Sequence, residues 1–161
     1  MENSRTQIIA TIGPVSKDIS MLKEMISNNM DIARLNFSWG THEDHKESIN
    51  NIREVGKILN KDIPIIQDLS GPRVQEEKGH TYKLDILEII TEKDLNDLKF
   101  GIEQNIEYIA MSFVGCKKDV KDLRNYIKDF GRNQKIIAKI ERQVAFDNID
   151  EIIEVADAIM I

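Results

Sequence analysis

The sequence predicts an α/β fold with a parallel sheet, on three observations. Short apolar, β-rich runs alternate with amphipathic helical runs along nearly all 161 residues, the pattern of a sheet covered by helices. A helix-length segment separates each strand from the next, and such a crossover returns the chain to the same end of the sheet, so neighbouring strands run parallel. Polar and charged residues collect at the strand ends, where α/β proteins carry their sites.

The elements follow in order. Gln7–Ile12 reads as a strand, closed by Gly13-Pro14 because proline has no N–H for a ladder. Ile19, Leu22, Met25 and Ile26 recur at helical spacing and predict a helix over Ile19–Asn29, with Ser16 as its cap. Asp31–Phe37 is the second strand. Thr41 and Asp44 have capping-box spacing and open a long helix through Leu59, with Ile49, Ile52 and Val55 on one face. Ile63–Leu69 is the third strand, ending at Ser70-Gly71-Pro72. Thr91 and Asp94 repeat the capping pattern ahead of a helix over Glu92–Asn105. A strand at Tyr108–Val114, a helix at Lys118–Asp129, a strand at Lys135–Ile140 and a helix at Ala145–Val155 come next, and Ala158–Ile161 begins a sixth strand. The count is five βα units and one strand more.

Two architectures carry that order, an open doubly wound sheet and a (β/α)₈ barrel. No Gly-x-Gly-x-x-Gly follows a strand, so the dinucleotide-binding fold has no support. A complete barrel usually takes about 250 residues, which argues against a whole one. The stretch Gly71–Ile90 is irregular and long for a connection in either fold. Its polar core, Arg73–Gly79, predicts a small hairpin turning at Lys78-Gly79.

Composition bounds the function classes. With 22 Lys and Arg against 28 Asp and Glu, the chain carries a formal charge of −6 and has no global attraction for a phosphate backbone, so no nucleic-acid role is expected. A single cysteine forms no internal disulfide, and the N-terminus lacks a charged segment followed by an apolar one. Both predict a reducing, cytoplasmic location. No run approaches the roughly 18 apolar residues of a membrane helix, so no membrane association is expected.

Side chains alternate between the faces of a strand. In the second strand Ile32, Arg34, Asn36 and Ser38 share one face, while Ala33, Leu35 and Phe37 form an apolar face for the helix layer. Ile66, Asp68 and Ser70 share a face in the third strand, Ala110 and Ser112 in the fourth, and Ile137, Lys139 and Glu141 in the fifth; Thr11 joins them from the first. Burying Arg, Asn and Ser in successive inward positions is costly unless something pairs with them. The assembled rim combines oxygen donors suited to Mg²⁺ or K⁺ with two cations suited to phosphate and carboxylate. A self-satisfied network, Arg34 with Asp68 and Lys139 with Glu141, is the structural alternative. Elsewhere His42 and His45 read as a solvated helix face rather than a metal site, since no third ligand stands near. Cys116, beside Lys117 and Lys118, has no helper for a reactive role, and Trp39 reads as packing rather than as a stacking platform.

These residues also carry a family resemblance. Thr6–Pro14, Ala33–His42, Asp68–Pro72, Thr91–Asp94 with Lys99-Phe100-Gly101, Ser112-Phe113-Val114, Lys139-Ile140-Glu141 and Asp147–Ile153 resemble, in order, the catalytic barrel of pyruvate kinase. The resemblance implies a partial TIM-type (β/α) barrel and phosphoryl transfer from phosphoenolpyruvate to ADP, giving pyruvate and ATP in glycolysis, with Mg²⁺ and K⁺. It assigns Lys139 as the catalytic lysine at the transferring phosphoryl group. Arg34, Ser112 and Lys139 become substrate-binding residues and Glu141 a Mg²⁺ ligand. Asn36, Ser38, Asp68 and Leu69, the last through its backbone, become the K⁺ positions, and Asn36, Phe37, Ser38 and Trp39 the nucleotide-contacting stretch.

The sequence also departs from the family pattern. Residues 71–90 stand where the family inserts a lid domain, so residues 1–161 read as a single truncated barrel domain. Gln75 replaces a nucleotide-contacting arginine, Trp39 replaces a histidine, and the Ala-Arg-Gly-Asp motif with the second metal carboxylate is not in this sequence. Weak or lost turnover is therefore expected of the chain alone. The alternatives are a non-catalytic phosphoenolpyruvate- or pyruvate-binding or regulatory module, or a truncated gene product. Open sheet edges predict self-association or a partner chain that completes the barrel.

Overall fold

The computed structural model of the chain describes residues 6–76, 79–82 and 89–161, with 74–76 and 79–82 as backbone only. The element order is β1 (Ile8–Ile12), α1 (Ile19–Ser27), β2 (Met30–Asn36), α2 (His42–Leu59), β3 (Ile65–Asp68), β4 (Arg73–Glu76), β5 (Gly79–Tyr82), α3 (Glu92–Glu103), β6 (Tyr108–Met111), α4 (Lys117–Asp129), β7 (Lys135–Lys139), α5 (Gln143–Asp147), α6 (Ile149–Ile153) and β8 (Ala158–Met160). Six strands form one sheet in the order β1-β2-β3-β6-β7-β8, and every pairing in it is parallel. That order never reverses, whereas a doubly wound sheet must reverse at its switch point. The sheet curls instead into a partial (β/α) barrel.

Alternation along the strands sorts the side chains as the sequence predicts. Ala33, Leu35, Ile65, Ile109, Ile136 and Ala138 join the helix-side core with Leu22, Ile26, Ile49, Ile52, Leu98 and Leu123. The concave face has a smaller apolar floor of Ile66, Ala110 and Ile137, flanked by Ile32, Tyr108 and Met160. Beyond that floor, toward the C-terminal strand ends, the same face turns polar.

Both predicted capping boxes form: Thr41 accepts from the Asp44 amide and Thr91 from the Asp94 amide, with reciprocal bonds from each carboxylate. Each satisfies amides that the first helical turn leaves without partners. Ser16 does not cap α1. Asp18 occupies the N-cap, and the Ser16 hydroxyl instead accepts from the Gly13 amide at 3.0 Å, closing the turn after β1.

Five of the six sheet strands are shorter than predicted, while β2 keeps seven residues but begins and ends one residue earlier. β3 begins only after Pro64, which has no N–H for the ladder. β6 stops at Met111 because the chain turns over Ser112 and Phe113, the latter at φ 60°. The helix predicted over Ala145–Val155 is two short helices broken at Asn148, whose backbone leaves helical geometry at φ −104°, ψ 17°. Its side chain donates to the Gly115 carbonyl at 2.9 Å, a bond outside the helix. The hairpin expected in 73–79 forms as β4–β5, with Glu76 paired to Gly79. Lys78 and the Gln75 side chain lie outside the described residues.

Candidate functional site

Asp68, at the end of β3, is 1% exposed and holds the rim together. It accepts from Arg34 Nε at 2.8 Å and from Arg34 Nη2. Lys139 Nζ approaches Asp68 Oδ1 at 3.1 Å and Oδ2 at 3.4 Å. Arg34 also donates from Nη1 to Thr11 Oγ1 at 2.7 Å. Lys139 donates to Ser112 Oγ at 2.9 Å, and that hydroxyl donates to the Leu69 carbonyl at 2.7 Å. Glu141 Oε1 lies 3.1 Å from Lys139 Nζ, and its Oε2 accepts from the Phe113 amide at 3.0 Å.

Strand pleat explains the convergence. Asn36 is in register with Asp68, and Asp68 with Ala110, so Arg34, Asp68 and Lys139 project from three strands onto one face, joined by Ser112 from the turn directly after β6. Both pairs of the self-satisfied alternative form, yet they are joined through the Asp68–Lys139 contact into a single cluster. Arg73, at the root of the hairpin, adds a cation with Nη2 3.6 Å from Glu141 Oε1. Three cations against two carboxylates leave a formal +1 here, on a chain whose net charge is −6. Charge-assisted donors concentrated in this way suit a small anion.

The other predicted residues surround this cluster. Asn36 Oδ1 accepts from the Ser38 amide at 3.0 Å. The Phe37 ring belongs to the helix-side core and stacks on His45 with ring centroids 3.9 Å apart, so Phe37 offers the site only its backbone. Trp39 is 52% exposed, contrary to the packing role expected for it. It lines a cavity of about 520 Å³ with Thr11, Pro14, Asn36 and His45, next to the Arg34 end of the cluster.

The two histidines correct the solvated-face reading. His45 is 8% exposed. Its Nε2 lies 2.9 Å from the Trp39 carbonyl and therefore carries the proton, since a carbonyl only accepts. Burial holds its imidazole below the usual histidine range, against the opposing pull of the Trp39 bond. His42 Nε2 meets Asp97 at 2.7 Å, and Lys93 bonds Asp97, the Ser70 hydroxyl and the Phe37 carbonyl. This network braces the ends of β2 and β3 from behind. Sequence reasoning missed it, and it missed Arg73 and the Phe113 amide. The Gly71-Pro72 turn directly before Arg73 was the available signal.

Among the described residues no group of three His, Cys, Asp or Glu side chains stands close enough to hold a metal. An all-protein cage is therefore not what Mg²⁺ would use here. Mg²⁺ commonly takes one or two carboxylates and fills its octahedron with phosphate oxygens and water. Glu141, with its side chain 28% exposed, fits that part. For K⁺, the amide oxygen of Asn36, the Ser38 hydroxyl, the Asp68 carboxylate and the Leu69 carbonyl stand on the ends of adjacent strands. The Asn36 and Leu69 oxygens each accept one bond already and keep a second lone pair. The donor set fits a hard cation.

The family model for the barrel domain of pyruvate kinase matches residues 3–89 and 80–161. A pyruvate kinase of Staphylococcus epidermidis is 31% identical over 239 aligned residues, covering 98% of this chain and 41% of the relative. A pyruvate kinase of Staphylococcus aureus is 30% identical over the same length and coverage. The chain spans about two-fifths of the length of these relatives.

Proposed function

Since the chain belongs to the pyruvate kinase family through its barrel domain, we propose that its rim binds phosphoenolpyruvate and serves phosphoryl transfer from it to ADP, the glycolytic reaction that yields pyruvate and ATP. The observation that carries this is the convergence of Arg34, at 2.8 Å, and Lys139, at 3.1 Å, on the buried Asp68, with Glu141 beside them. In phosphoryl transfer negative charge spreads over the oxygens of the moving group, and fixed cations lower the barrier with little further reorganisation. Lys139 would face that group as the enol oxygen–phosphorus bond breaks and a β-phosphate oxygen of ADP forms the new bond to phosphorus, the departing enolate taking a proton from solvent at its methylene carbon to become pyruvate. Arg34 would hold the substrate from the opposite side of Asp68, and Ser112 keeps Lys139 in place. Mg²⁺, held by Glu141, would neutralise phosphate charge. Asn36, Ser38, Asp68 and the Leu69 carbonyl would hold K⁺. The cavity beside Trp39 would take the nucleotide, next to Asn36 and Ser38.

On this reading the 71–90 connection stands in place of the lid domain. Two facts support it: the family model matches in two pieces that meet at residues 80–89, and the aligned stretch of 239 residues exceeds the 161 of this chain. With one metal carboxylate at the rim and no lid-sized insertion, turnover by the chain alone is expected to be slow, since a positioned electrostatic group is commonly worth about 100- to 1,000-fold. A cytoplasmic setting belongs to the same reading. So does a partner strand along β1, whose outer edge is unpaired among the described residues and carries the half-exposed Ile8 and Ile9. Calorimetry tests the proposal. Phosphoenolpyruvate should bind, more tightly with Mg²⁺, and Arg34→Met or Lys139→Met should weaken it at least tenfold. Equal binding by these variants would overturn it. Binding without turnover in a coupled ADP assay would favour a binding module instead.

A further inference from the structure

Phe113 is one of the described residues at positive φ, at 60°, and it is the bulkiest of them; an aromatic side chain adopts that conformation only where its surroundings impose it. Those surroundings are specific. Gly71, itself at φ 67°, approaches the ring so closely that a Cβ there would stand 2.8 Å from Phe113 Cδ2 and 3.1 Å from Ser112 Cβ. The Arg73 guanidinium lies over the ring, 5.4 Å from its centroid. The turn after β3 and the root of the hairpin thus wedge the ring. Phe113 is 5% exposed.

The left-handed backbone sends the Phe113 amide to Glu141 Oε2 at 3.0 Å. The other oxygen, Oε1, faces Lys139 at 3.1 Å and Arg73 at 3.6 Å. The carboxylate is therefore held by one oxygen and presented by the other. We propose that Phe113 is a positioning residue for Glu141: its wedged ring fixes the backbone amide on Oε2 and so dedicates Oε1 to the cation side of the rim, where a divalent ion binds. The inference rests on Glu141 being the metal carboxylate of the proposed function. Partners that orient a metal ligand are typically worth about 10- to 100-fold in metal affinity.

Two measurements test it with Mn²⁺ as the probe. In Mn²⁺ titrations followed by electron paramagnetic resonance, Phe113→Gly keeps the amide and the allowed φ but removes the wedge, and affinity should fall about tenfold. Phe113→Tyr keeps the ring and should bind within about twofold of the parent. Equal affinity in Phe113→Gly and the parent overturns the proposal. Independently of any metal, the Phe113 amide proton should lie downfield, because it donates to a carboxylate oxygen at 3.0 Å, and it should move upfield in Glu141→Gln, whose amide oxygen is the weaker acceptor. An amide resonance that is the same in Glu141→Gln and in the parent overturns the proposal as well. If Glu141→Gln binds Mn²⁺ as tightly as the parent while its Phe113 amide has moved upfield, the metal assignment of Glu141 fails rather than the positioning contact.

Discussion

Lys139 reaches Asp68 at 3.1 Å from a strand that is not its neighbour. β6 lies between β7 and β3, and the β6 residue on that face, in register with Asp68, is Ala110, which is fully buried. A methyl group there lets the lysine stem cross the floor, and Ser112, the next residue on that face, meets the ammonium at 2.9 Å. The cluster thus depends on a small residue that takes no part in its hydrogen bonds.

Ala110→Leu is therefore expected to separate Lys139 from Asp68. Overpacking a buried site typically costs about 1–3 kcal/mol, and Ala110 has no exposed surface and packs with Ile66 and Ile137. Denaturant unfolding should show the loss, and phosphoenolpyruvate binding should fall with it. Binding at the parent level in a folded Ala110→Leu protein would contradict the crossing described above.

Asp68 balances two cations, so its removal should cost more than the removal of either. Asp68→Ala leaves the Lys139 ammonium and the Arg34 guanidinium close together, and breaking a buried pair commonly costs about 3–5 kcal/mol. Lys139→Met leaves Asp68 with Arg34 and is expected to cost about 1–3 kcal/mol. The double variant should be less damaging than the sum, because the second change removes a charge that the first left unpaired. Additive values in urea unfolding would show that the two side chains do not act as a unit.

Gly101 gives a test whose sign opposes helix propensity. Ala normally favours a helix over Gly by about 1 kcal/mol, and Gly101 lies within α3. A Cβ at this position would stand 2.0 Å from Gln67 Oε1 and 2.7 Å from Gln67 Cδ. Gln67 has no exposed surface and donates to the Asp97 carbonyl at 2.6 Å. Gly101→Ala is expected to lower stability by about 1–3 kcal/mol, and Gln67→Ala in the same chain should recover part of it.

Much of this was legible in the sequence because period-2 alternation is a local property. It assigned Arg34, Asp68, Ser112, Lys139 and Glu141 to one face and Ala33, Leu35 and Phe37 to the other. Thr41 and Thr91 announced their helices for the same reason, since a capping box lies within four residues. Features that depend on remote partners were hidden. Asn148 leaves helical geometry while bonding the Gly115 carbonyl, 33 residues away. His42 reaches Asp97 across 55 residues, and nothing in the spacing of two helical histidines reveals a buried carboxylate on the next helix. The strained turn at Phe113 reads locally as strand, because its conformation is imposed by Gly71 and Arg73.

His45 makes the fold sensitive to pH in a direction that can be worked out. Burial, the largest influence on its imidazole, lowers the pKa, and the bond to the Trp39 carbonyl opposes this only in part. In the unfolded chain the same group titrates near the ordinary value of about 6.5. The unfolded chain then takes up the proton first as pH falls, so protonation favours unfolding. The stability tied to neutral His45 is complete above pH about 6.5 and is lost progressively below it, until the folded-state pKa is passed. Asp97 and Asp44 favour the charged form and His42 disfavours it, so the measurement has to isolate position 45. Melting temperatures of the parent and of His45→Gln should differ most near neutral pH and converge as pH falls toward 5. Parallel curves across that range would mean that the ring stacked on Phe37 does not titrate differently in the folded and unfolded chains.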